Sequence, residues 1–109
     1  MNEDTLSLYY DNEVLTATLR GEIDHHSVAP VRARIDEELY RTRPKTLRID
    51  VGQVDFMDSS GLGLIMGRLA KIRELGGTLT VASPSPRAVK MLKMAALDCL
   101  IEQERNQDS

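Results

Sequence analysis

Short β-prone runs alternating with segments of helical periodicity limit this chain more than any other feature. Thr5 to Tyr10 and Val14 to Leu19 are β-prone, and Asp11-Asn12-Glu13 between them suits a tight turn, so the chain should open with a hairpin. Val28, Val31, Ile35 and Leu39 then recur at helical spacing, after Ser27 as an N-cap and with Pro30 inside the tolerated first turn. Arg43-Pro44-Lys45 stops that helix. Leu47, Ile49, Val51 and Val54 make a central strand, followed by a helix from near Ser60 to about Leu75 that Gly76-Gly77 ends. Thr78 to Ala82 reads as a third strand of the β-α-β series. Ser85-Pro86 opens a helix to about Met94 with Val89 and Leu92 inward. Cys99 to Ile101 suits a short last strand, with Cys99 a buried structural thiol. This pattern predicts an α/β fold with parallel strands joined by right-handed crossovers, the opening hairpin making the sheet mixed, and about four helices.

A length of 109 residues suits one domain with one core, about 5–102, and a polar tail over 103–109. With no Trp and one Phe, the core must come from Val, Leu, Ile and Met. The net charge of −3 advertises no broad nucleic-acid surface. The single Cys excludes an internal disulfide and fits a reducing compartment. No apolar run approaches the ~20 residues that cross a bilayer. The opening Met1-Asn2-Glu3-Asp4 is acidic and polar, unlike a secretory signal. Together these place the chain in the cytoplasm.

The segment Asp55 to Arg68 concentrates the chemistry. It leaves the central strand, presents acids and hydroxyls, and opens a helix rich in glycine. Unpaired N–H groups and the helix dipole there favour negative charge. At 100° per residue, Leu62, Ile65, Leu69 and Ile72 form the stripe expected to pack on the sheet. Leu64 falls on the far side beside Gly61, Gly67, Arg68 and Lys71. That face is either a partner surface or an unremarkable exposed Leu. Gly61, Gly63 and Gly67 each cost up to about 1 kcal/mol relative to Ala, which close approach by a partner or by this chain's own loops would offset. No third glycine completes a dinucleotide fingerprint, and no Gly-Lys-Ser/Thr phosphate loop follows.

On pattern alone Ser59 is an ordinary helix cap. Ser60 is an alternative cap or acceptor. Asp58 is a loop or N-cap acid, or a group that orients the hydroxyl beside it. Asp24 is a turn-former, or an acid at a strand end where ligand sites of open α/β sheets gather. His25 and His26 have no third ligand beside them and point to a surface loop rather than a metal.

Asp58-Ser59-Ser60-Gly61-Leu62-Gly63 resembles the phosphorylation-site motif of the STAS family's bacterial anti-sigma factor antagonists, and Gly21-Glu22-Ile23-Asp24 resembles their second signature. The run from Gly21 to Ser27, with Phe56-Met57 and Gly67-Arg68 around the motif, is most similar to the sporulation type, which regulates a forespore sigma factor. Ile23 and Ser27 depart slightly, standing where close relatives often carry Leu and Thr. The resemblance implies a non-enzymatic switch without cofactor or metal. The unphosphorylated protein binds an anti-sigma factor that is also a serine kinase and displaces the sigma factor. ATP-dependent phosphorylation of Ser59 ends binding, and a serine phosphatase restores it. Asp24, Asp58, Ser60, Gly61, Leu62, Gly63, Leu64, Gly67 and Arg68 are then the expected partner-binding set. A monomer is expected, because no helix carries a sustained second apolar stripe. The alternatives are a non-switching STAS scaffold or transporter-associated subunit, and a small nucleotide-binding protein.

Overall fold

A computed structural model describes residues 5–103. Strand β1 (Leu6–Asp11) pairs antiparallel with β2 (Val14–Ile23), and Asp11 lies opposite Val14. Asn12 and Glu13 both take positive φ, the geometry of a two-residue hairpin turn. Helix α1 (Val28–Thr42) leads to β3 (Thr46–Met57), helix α2 (Ser59–Glu74) to β4 (Thr78–Ala82), and helix α3 (Pro86–Met94) to a 3-10 turn (Asp98–Leu100). The sheet order is β1-β2-β3-β4, with β2/β3 and β3/β4 parallel.

Period-2 alternation builds the core. Leu15, Ala17 and Leu19 of β2, Leu47, Ile49 and Val51 of β3, and Leu79 and Val81 of β4 are buried on one face. They meet Val31, Ile35 and Leu39 of α1, Ile65 and Ile72 of α2, and Leu92 of α3 in one cluster. Thr16, Thr18, Arg48, Asp50 and Thr80 fall at the intervening positions and are only half-buried. Arg48 there bonds Glu102 at 2.8 Å.

The first four strands expected from the sequence are found, but β2 and β3 both run longer, to Ile23 and Met57. The pairing register shifts at Thr18/Arg20 and Gly21/Glu22, with Gly21 at φ 79, so irregularity lets the pair continue past its regular part. At the other end of α2, Gly76 takes φ 87 and Gly77 N–H donates to Ile72 O at 2.8 Å. This closes the helix with the αL turn that favours glycine.

Several expectations are corrected. Three helices and a 3-10 turn among the described residues agree with the expected count of about four, but the expected last strand is reduced to one parallel bridge, Val81 to Ile101. Cys99 is exposed, not buried, because the tight turn directs Leu100 inward in its place. In α3, Ala88 joins Leu92 in the core while Val89 is only half-buried. Of the polar tail, residues 104–109 lie outside the described residues.

Candidate functional site

The site is built where β2 and β3 end together. Ile23 pairs with Met57, and Asp58 N–H donates to Ile23 O at 3.3 Å. Asp24 and Asp58 therefore leave the C-terminal ends of two adjacent parallel strands, the usual location of sites in such sheets.

Asp24 organises its own loop. Its carboxylate accepts from His26 N–H at 3.0 Å and Ser27 N–H at 3.1 Å. Desolvation works to raise its pKa. The two backbone donors and the nearby histidines outweigh it and hold the carboxyl below its ordinary value. Ser27 makes no side-chain cap to α1; its hydroxyl instead accepts from Asp24 N–H at 3.0 Å and donates to Glu22 O at 3.0 Å. The cap expected of Ser27 is thus diverted into the loop. His25 and His26 are exposed, their rings 4.0 Å apart.

Asp58, not a serine, is the N-cap of α2. Its backbone is extended, and its carboxylate accepts from Ser60 N–H at 2.7 Å. That frees Ser59. It is the first residue of α2, exposed, and its hydroxyl has no hydrogen-bond partner among the described residues. Ser60 is half-buried behind it.

The three glycines do different things. A Cβ on Gly61 would lie 2.7 Å from Met57 Sδ and 3.3 Å from Ile23 Cγ2, so the helix seats directly on the two strand ends. Nothing lies within 4 Å of a Cβ on Gly63 or Gly67. Gly63 is exposed and Gly67 half-buried, and with Met66, 49% exposed, they leave a bare outer flank on α2.

The expected outward face is only partly outward. Leu64 is 3% exposed and sits in the core; Arg68 is 6% exposed. Gly61 is also buried, while Leu62 and Leu69 are only half-buried. The buried arc is turned by about 60° from the predicted stripe, at 100° per residue. The cause is α1, which packs beside α2 and covers a second flank. Arg68 Nε lies 3.2 Å from Asp36 Oδ1 of α1, an ion-pair distance, but the atoms do not align as a hydrogen bond. Burial lowers the Arg68 pKa, against the pull of Asp36. Leu64 and Arg68 are therefore structural in this fold. Asp24, Asp58, Ser59, Ser60, Gly63 and Gly67 remain at the strand ends and on the outer side of α2, with Leu62 at its border.

Between β3 and α3 lies a small cleft of about 40 Å³ lined by Val54, Asp55, Phe56, Arg87 and Met91 among others. That is far below the ~300 Å³ of small-molecule sites, so this cleft does not suit a nucleotide. Among the described residues no three or more His, Cys, Asp or Glu gather to hold a metal ion, and no helix is long and apolar enough to cross a membrane. Sequence reasoning missed Phe56, Met91 and Met94 as surface features, although two methionines three apart on a cationic helix were a visible signal.

Residues 6–109 match the STAS domain family. The chain belongs to the STAS family. This STAS protein is 35% identical over 92 residues to the anti-sigma F factor antagonist of Paenibacillus polymyxa, covering 84% of this chain and 79% of that one. Its fold matches the anti-sigma factor antagonist SpoIIAA in its unphosphorylated form at a TM-score of 0.82 and 28% identity, covering 94% of this chain and 90% of that one. It matches phosphorylated SpoIIAA, a Bacillus cell fate determinant, at 0.76 and 28% identity, with 94% of each chain covered.

Proposed function

We propose that this STAS protein is an anti-sigma factor antagonist whose unphosphorylated form binds an anti-sigma factor and serine kinase, releasing a sigma factor. Phosphorylation of Ser59 by that kinase ends binding, and a serine phosphatase resets the cycle. The protein is then a substrate of both enzymes and not itself an enzyme. It acts as a cytoplasmic monomer with no cofactor, no membrane contact and no direct contact to nucleic acid.

One observation carries this reading: Ser59 stands exposed at the start of α2 with a free hydroxyl, because Asp58 has taken the capping role. A phosphate adds about −1.5 to −2 charges there. The helix N-terminus tolerates them, but an interface need not, since like charges meeting across one cost several kcal/mol. Each 1.4 kcal/mol is about tenfold in affinity. A local clash is thus enough to switch binding without refolding. The likeness of this chain to both forms of SpoIIAA fits a switch of that kind. Asp58, adjacent to the phosphate, adds to the negative charge, and Gly63 and Gly67 leave room for a partner to approach the helix closely.

The test is intact mass with fragment mapping after incubation with the candidate anti-sigma kinase and ATP. One phosphate on Ser59, absent in Ser59→Ala, is expected, and Ser59→Asp should lose the kinase. If Ser59→Asp binds as well as wild type, the charge switch is wrong. A kinase that binds ATP and this chain yet transfers no phosphate would favour the non-switching scaffold.

A further inference from the structure

Helix α3 has a charge and surface pattern that phosphorylation of Ser59 does not use. Arg87, Lys90 and Lys93 are all exposed and form no ion pair among the described residues, and no acid occurs from Pro86 through Leu97. In a chain of net charge −3 this is a local reversal of sign. Ala88 and Leu92 point into the core, so Arg87, Lys90, Met91 and Met94 share the outer side at i, i+3, i+4 and i+7. Met94 is 83% exposed. Met91, Met94 and Ala95 meet Leu62 of α2 in a shallow apolar groove of about 240 Å³. Met91 also lines the cleft that holds Asp55, Phe56 and Arg87, and Phe56 is 43% exposed. The cleft and the groove share Met91, so one surface runs from Phe56 at the end of β3, two residues before Asp58, past Met91 to Leu62 and the end of α3.

We propose that this α2–α3 groove is a second part of the partner interface and receives an acidic amphipathic helix of the anti-sigma partner. Its apolar side chains fill the space between Leu62 and the two methionines, and its carboxylates face Arg87 and Lys90. Charge complementarity selects the occupant: a cationic rim around an apolar floor fits a helix with an apolar face and acidic flanks. Methionines suit such a floor because they repack around differing side chains. Leu62 lies one turn from Ser59, so both areas can be covered by one partner. The proposal rests on the reading that this chain docks on an anti-sigma factor through the Ser59 end.

The test is calorimetric titration of the full chain with the anti-sigma F factor of Paenibacillus polymyxa, using wild type, Ser59→Asp, Arg87→Glu/Lys90→Glu and Met94→Ser. The α3 substitutions are all at exposed positions, and unchanged urea midpoints verify their fold. The double charge reversal should weaken Kd at least tenfold and flatten its dependence on salt, and Met94→Ser should weaken it about threefold without changing that dependence. If both α3 variants bind like wild type while Ser59→Asp does not, the groove proposal falls and the switch stands. If Ser59→Asp binds like wild type and the α3 variants do not, the groove stands and the switch falls. No binding by wild type overturns both. Loss of sedimentation with phosphatidylglycerol vesicles in the double variant, with unchanged partner binding, assigns this face to a membrane and overturns the proposal.

Discussion

Gly61 and Gly63 belong to one motif yet answer to opposite constraints. A methyl group at Gly61 enters the space of Met57 and Ile23, so Gly61→Ala should cost about 1–3 kcal/mol through overpacking. At Gly63 the same methyl meets open space, and Gly63→Ala should gain up to about 1 kcal/mol in helix propensity. Urea unfolding of the two variants measures both signs. The same Gly63→Ala protein should bind the partner less well if the partner needs the bare helix flank. Arg68 offers another contrast. Its Nη1 finds no acceptor and its ion pair with Asp36 lacks hydrogen-bond alignment. Replacing both partners, Arg68→Met with Asp36→Leu, should therefore leave stability unchanged or raise it by about 1–4 kcal/mol, whereas Asp36→Ala alone, which strands the buried guanidinium, should cost about 2 kcal/mol. Asp36 is itself partly exposed, so its loss falls short of the ~3–5 kcal/mol of a fully buried pair.

At the scale of elements, two acids set the geometry of the strand ends. Asp58 starts α2, and Asp58→Ala should cost about 1 kcal/mol in thermal or urea unfolding. Asp58→Asn keeps an acceptor for Ser60 N–H and removes the charge. It should retain most of the stability while easing the clash with a phosphate on Ser59. Asp24 holds the β2–α1 loop through two N–H groups, and its folded pKa lies below the ordinary 3.8. A lowered carboxyl pKa contributes order above the unfolded value, and that contribution is lost as the pH falls through the folded value. The carboxyl carbon of Asp24, followed by NMR, should titrate with a midpoint below 3.8. A midpoint at or above it would mean that the loop contacts do not hold the ionised form.

Across the whole molecule, all four strands and three helices feed one core cluster, which predicts one cooperative unfolding unit. Calorimetric and van't Hoff enthalpies should agree. Tyrosine emission is a poor second probe, since Tyr9, Tyr10 and Tyr40 are all exposed, so far-UV circular dichroism should be paired with the calorimeter. Because the proposed switch works by local charge, the phosphorylated and unphosphorylated proteins should give superimposable spectra and differ only in partner binding. A large spectral change would point to refolding as the switch.

The sequence by itself determined the element order, the opening hairpin, the strand from Thr78 to Ala82 and the glycine stop after α2. These rest on local rules: turn chemistry, period-2 alternation and the freedom of glycine at positive φ. It also located the acid and hydroxyl cluster, because a strand end followed by a helix start is local too. Only the tertiary structure decided which side of α2 faces out. A hydrophobic stripe reports a helix's apolar contacts and does not register a neighbour that offers Asp36 to an arginine. With the sheet below and α1 beside it, α2 buries a turned arc that takes in Leu64 and Arg68. The cap was decided the same way: Asp58 and two serines all suit an N-cap, and β3 running on to Met57 puts Asp58 at that position and leaves Ser59 free.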